Sequence, residues 1–123
     1  MRTRSSDSVR IFYPGFDRAE LLRTLRERLA RLESKLSLVK VTLFGSYASG
    51  TYTVGSDVDL LVVYRGESRS DAYALTKRAL QIPRLEPHLY TQAEYEKART
   101  TVDRMVRGGV TIFPESSRSN RPP

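Results

Sequence analysis

Apolar positions change period several times along the chain, and each change marks an element. Leu21, Leu22, Leu25, Leu29, Leu32 and Leu36 recur at three- and four-residue spacing, which gathers them on one stripe of a helix. Asp17 precedes that stripe as a good N-cap, with Glu20 three residues on in capping-box position, and Phe16 and Leu21 hold the two places of a hydrophobic staple. Arg18, Arg23, Arg26, Arg28, Arg31 and Lys35 fill the remaining face or its margins and read as solvated surface. The β-branched run Val39 to Phe44 predicts a strand that ends at Gly45-Ser46. Asp57 to Tyr64 predicts a second strand, apolar on both faces after Asp59, as a central strand is.

The second half continues the alternation of helices and strands. Ser70 is placed to cap a second helix running to about Leu80, with Tyr73, Leu75 and Ala79 expected to be buried. Leu85 to Tyr90 predicts a third strand; Pro87 within it cannot donate to a ladder, so the strand belongs at an edge. Alternation sends Glu86, His88 and Tyr90 to one face and Leu85, Pro87 and Leu89 to the other. Thr91 with Glu94 repeats the capping-box pattern and opens a third helix carrying Val102, Met105 and Val106. Gly108-Gly109 stops that helix, and Val110 to Phe113 adds a short last strand. The order α-β-β-α-β-α-β predicts an α/β (α+β) fold, a small mixed sheet with helices packed on it.

Composition narrows the field. The 123 residues suit one domain, expected over 17–113. Residues 1–16 are expected to be a partly disordered segment, and 114–123, rich in Ser, Arg, Asn and Pro, a disordered tail. No apolar run approaches the ~20 residues of a membrane span, and no apolar stretch follows Met1-Arg2-Thr3-Arg4 to serve as a signal peptide. A cytoplasmic protein with no membrane partner is expected. With 0 Cys and 1 His there is neither a disulfide framework nor a His/Cys zinc site. The formal net charge is +7, but Arg2, Arg4, Arg10, Arg118 and Arg121 against Asp7 and Glu115 place +3 of it in the terminal segments. The body carries only the rest, and no Lys/Arg cluster is interleaved with aromatics. Nucleic acid is therefore not expected as a direct partner; the charge suits polyphosphate or an acidic partner.

The chemistry concentrates between Gly45 and Leu60. Asp57 and Asp59 are alternate residues at the start of a strand, so they share a face at ~6.5–7 Å. Two carboxylates so placed repel each other unless a cation lies between them, and hard oxygen donors without His or Cys favour Mg²⁺ or Mn²⁺. Gly45-Ser46 closes the preceding strand and leads into a turn or short helix whose free N–H groups can receive phosphate oxygens. Glycine permits close approach, and the Ser46 hydroxyl adds a donor. Neither element is specific alone; the combination on successive strands is. Other chemistries lack their signatures: the chain has no phosphate loop, no dinucleotide fingerprint, and no nucleophile elbow to accompany His88.

Leu-Phe-Gly-Ser-Tyr-Ala-Ser-Gly (43–50) followed by Ser-Asp-Val-Asp-Leu-Leu-Val-Val (56–63) resembles the signature of the minimal nucleotidyltransferases of the DNA polymerase β superfamily. The resemblance covers most of residues 17–96 and implies a polymerase β-like nucleotidyltransferase fold. It also implies roles. Gly45 and Ser46, with Ser56 beside them, would hold the triphosphate of ATP or another NTP; Asp57 and Asp59 would ligate two magnesium ions, or manganese in their place. A third carboxylate, which in the family opens the strand after the second helix, falls on Glu86 and would serve as metal ligand and proton acceptor. His88 is expected as a polar edge residue. One departure stands out: where many relatives carry an arginine, this chain has Ser49, so the missing charge must come from another cation, with Lys77, Arg78 and Arg65 as candidates.

The implied function is Mg-dependent transfer of a nucleotide, AMP from ATP, to an acceptor hydroxyl. Larger superfamily members bind the acceptor with a helical domain that is not recognisable here, so a separate protein is expected to supply it. In the minimal family that partner is typically a small helical HEPN toxin, adenylylated on a tyrosine. The alternative is a non-catalytic antitoxin that neutralises its partner by contact. Retention of both aspartates favours the enzyme.

Overall fold

Asp17 accepts a 2.8 Å hydrogen bond from the Glu20 N–H and so starts helix α1, Arg18–Glu33. The structure, a computed structural model, describes residues 17–53 and 55–114; the staple residue Phe16, the 1–16 segment and the tail from 115 onward lie outside them. Leu21, Leu25, Leu29 and Leu32 are buried along α1 and Leu36 just beyond it, as the spacing predicts. Strand β1, Leu38–Phe44, leads into the one-turn helix α2, Ser46–Ser49, and then into β2, Val58–Tyr64. Helix α3, Ala72–Leu80, is followed by β3, Leu85–Thr91. Helices α4, Gln92–Lys97, and α5, Arg99–Met105, precede β4, Val110–Phe113.

The sheet order is β3-β2-β1-β4, with β1 antiparallel to both β2 and β4, and β2 parallel to β3. Among the described residues β3 is thus an edge strand, where Pro87 is tolerated. The sheet separates two cores. On one face α1 and α3 cover Val41, Leu43, Leu60, Val62 and Leu85. On the other, Tyr95, Val102 and Val106 of the α4–α5 segment cover Phe44, Leu61 and Val63. Gly109 has no room for a side chain: a Cβ there would lie 2.7 Å from the Leu43 carbonyl oxygen, so the chain entering β4 can approach β1 only as glycine.

Three sequence expectations are corrected. Ser70 does not cap α3; Asp71 holds the N-cap position, and its carboxylate pairs with the Arg69 guanidinium at 2.9 Å and 3.0 Å instead of capping. That hydrogen bonding holds the Asp71 carboxyl below its ordinary range. Starting the helix at Ala72 turns Ala72, Thr76 and Leu80 inward at four-residue spacing, leaving Tyr73 exposed. The third helix is two: the Thr91–Glu94 capping box forms in full, but Ala98 (φ −103°, ψ 20°) breaks the run without any proline or glycine to mark it. Arg28, finally, is no mere solvated cation. Its Nη1 donates to the carbonyls of Leu80 (2.8 Å) and Gln81 (2.9 Å), closing the C-terminus of α3.

Candidate active site

Phe44 at the end of β1 pairs with Asp59 in β2, and this register sets Gly45 directly beside the Asp59 side chain. Gly45 has φ +76°, and a Cβ on it would stand 2.5 Å from Asp59 Oδ2. Both the backbone angle and the space demand glycine. The chain then turns into α2, whose first N–H groups have no intrahelical acceptor. The half-buried Ser46 follows Gly45 on this rim. Tyr47 and Ala48 anchor the turn in the core, and the Tyr47 ring stacks on Tyr52 with centroids 4.3 Å apart. Burial, reinforced by Tyr52 and opposed by Arg84, raises the Tyr47 phenol above its usual range. Ser56 is engaged within the loop: its hydroxyl accepts from the Thr53 N–H at 2.8 Å.

Asp57 lies one residue before β2, and Asp59 within it. Each carboxylate meets a base. Asp57 Oδ1 is 3.2 Å from Arg84 Nη2, and Asp59 Oδ1 is 3.4 Å from His88 Nε2. The repulsion expected of the pair is thus relieved by protein cations or hydrogen-bond donors. Arg84 also donates through Nε to the Ser56 carbonyl at 3.3 Å. His88 packs its ring against Phe44, with centroids 5.1 Å apart.

Glu86 is the Cα partner of Asp59 across the parallel β2–β3 pair, so its backbone stands beside the aspartates. Its carboxylate is turned to α3, where it accepts the Tyr73 hydroxyl at 3.1 Å. That bond holds the Tyr73 phenol above its ordinary range. Among the described residues no three His, Cys, Asp or Glu side chains are gathered tightly enough to hold a metal. The donor set nevertheless suits a hard divalent cation: two carboxylate side chains, 56% and 29% exposed, open to further oxygen ligands from a phosphate.

Among the described residues, none of the candidate replacements for the Ser49 arginine forms an ion pair with either aspartate. Arg65 Nη1 donates to the Leu38 carbonyl at 3.3 Å, at the opposite end of β1. Lys77 Nζ donates to the Leu85 carbonyl at 2.7 Å and lies over the Tyr73 ring. Arg78 is exposed in the last turn of α3. Arg84, which sequence reasoning missed, does reach the motif. The one signal for it was its position just before the strand that neighbours the Asp strand.

The family model described as nucleotidyltransferase domain matches residues 22–108, which takes in β1, the Gly45-Ser46 turn, β2 and β3. The chain belongs to the nucleotidyltransferase domain family. It is accordingly a transferase that acts on a nucleoside triphosphate. A crystal structure of a nucleotidyltransferase from Sulfolobus solfataricus, itself so assigned only provisionally, superposes with a TM-score of 0.55 at 21% identity, over 77% of this chain and 81% of that one. At that identity the likeness speaks for the fold, which among the described residues is a mixed four-stranded sheet with five helices. No curated protein matches the chain. Among the described residues, no helix of this nucleotidyltransferase is long and apolar enough to cross a membrane.

Proposed function

We propose that this nucleotidyltransferase transfers AMP from ATP to an acceptor hydroxyl on a protein partner, with Asp57 and Asp59 holding magnesium. The observation that carries the reading is the seating of the Asp59 carboxylate against Gly45, in a space that no other residue would leave open. It joins the two halves of the motif, so that a phosphate received at Gly45-Ser46 lies beside the carboxylates. Magnesium, when bound there, would neutralise charge developing on the α-phosphoryl group and its leaving pyrophosphate.

The rest falls to the chain's own residues. Gly45 and Ser46 receive phosphate oxygens at the rim of α2. Ser56 fixes the loop that delivers Asp57 to the site. Glu86, one strand over, has only to leave the Tyr73 hydroxyl and rotate towards Asp59 to accept the proton of the attacking hydroxyl. The choice of a HEPN-type protein as acceptor rests on the family resemblance of the sequence. Cytoplasmic location belongs to the same reading.

Labelling decides it. The protein co-purified with its host partner should pass label from [α-³²P]ATP, and none from [γ-³²P]ATP, to a tyrosine of that partner. Asp57→Asn and Asp59→Asn should lower transfer about a hundredfold to a thousandfold, the scale of losing a principal transition-state contact. Transfer that survives in either variant removes the aspartates from the site. A partner that binds and is never labelled leaves neutralisation by contact as the function.

A further inference from the structure

The arginine that many relatives carry is Ser49 here, and Ser49 does not stand in for it. Its hydroxyl is turned back on the Ser46 carbonyl (3.3 Å) and on Thr51 Oγ1 (2.9 Å). Among the described residues, Arg84 is the arginine or lysine in ionic contact with either aspartate. Its backbone is fixed for the purpose. The Arg84 carbonyl accepts the Val58 N–H at 2.9 Å, locking the residue beside the strand between the two aspartates. It does so at φ +61°, a left-handed conformation that a non-glycine residue adopts only when its surroundings hold it there. The side chain beyond is 55% exposed and is held by its contacts with Asp57 and the Ser56 carbonyl.

We infer that Arg84 supplies the missing charge in two alternating roles: it guards Asp57 when no divalent cation is present, and it moves to the phosphates of the nucleotide when one is. The inference rests on the proposed placement of the triphosphate at Gly45-Ser46. The reason is electrostatic. A divalent cation bound to Asp57 would repel the guanidinium that stands 3.2 Å from Oδ1, and a phosphate at Gly45-Ser46 would offer it a new anionic partner. The guanidinium fork suits phosphate oxygens, and its Nε–H already donates to the Ser56 carbonyl at 3.3 Å, in the loop that carries Asp57.

This arrangement makes two effects of opposite sign. Arg84→Ala should bind Mn²⁺ alone more tightly, about twofold to fivefold, because an exposed ion pair no longer competes for Asp57. The same variant should bind ATP in the presence of Mn²⁺ about tenfold or more weakly, because a charge-assisted phosphate contact is lost. Arg84→Lys should fall between, keeping the charge and losing the fork. Both titrations can be followed by water-proton relaxation and calorimetry, with circular dichroism to verify the fold. A weakening of both, the mark of a merely structural residue, overturns the inference. So does ATP affinity within twofold of wild type. Asp57→Asn run in parallel separates the two readings. If Asp57→Asn loses ATP binding and Arg84→Ala keeps it, only the role of Arg84 fails. If neither loses it, the placement of the nucleotide fails with it.

Discussion

At Gly45 a single residue joins backbone conformation to chemistry. Its φ of +76° is open to glycine at little cost, and its missing side chain is the space in which the Asp59 carboxylate sits. Gly45→Ala should therefore act twice. Backbone strain should lower stability by about 1–3 kcal/mol in urea denaturation. The displaced Asp59 should lower nucleotide binding beyond what that instability accounts for. A variant with unchanged stability and unchanged binding would show that the Gly45–Asp59 contact is incidental. The juxtaposition of Gly45 with the aspartates was legible in the sequence from their spacing along two consecutive strands; that Gly45 must lack a side chain to admit the Asp59 carboxylate was not, because it depends on the register of those strands. Arg84 was not, since a left-handed arginine before an edge strand has no periodicity to announce it. Nor was the partner of Glu86 legible. The alternation of β3 gave the residue its face, but its bond to Tyr73 depends on where α3 begins.

Among the elements, α3 shows how local signals mislead when tertiary contacts compete. Ser70 looked like a cap, yet the Arg69–Asp71 pair and the bond from Arg69 Nη1 to the Lys35 carbonyl at 3.0 Å set the start of the helix instead. Its end is set by Arg28 from α1, fifty-two residues away in sequence, which no local pattern could reveal. Two bonds from a charged donor to terminal carbonyls are the kind of contact whose loss costs about 1.5–3 kcal/mol. Arg28→Ala should lower stability by about that much in urea denaturation, while Arg26→Ala, an exposed cation of the same helix, should change it by about 0.5 kcal/mol at most. Equal effects from the two would mean that Arg28 is surface charge after all. The Asp17 cap, the Thr91–Glu94 capping box and the leucine stripe read correctly because their physics is local to the helix. The break at Ala98 lies outside that reach.

For the molecule as a whole, the sheet order β3-β2-β1-β4 brings the Gly-Ser turn, the Asp strand and the Glu86 edge strand to one end of the sheet. The strand order along the chain and, among the described residues, the edge position of β3 followed from hydrophobic patterning and Pro87, whereas the division of the third helix did not. The antiparallel pairing of β4 on β1 did not, because it needs the close approach at Gly109. Two apolar cores hold that end of the sheet from both faces, so exchanging the exposed Asp57 or the half-buried Asp59 should leave the fold intact. Calorimetric titration of the wild-type chain with ATP and Mg²⁺, set beside Asp59→Asn, puts the site to its most direct test. The wild type should bind at one saturable site that requires the metal, and Asp59→Asn should lose about tenfold or more in affinity, as expected when a charged ligand to the metal is removed. Wild-type chain that takes up no ATP, or an Asp59→Asn variant that binds as the wild type does, would contradict a nucleotide and metal held between Gly45 and the aspartates.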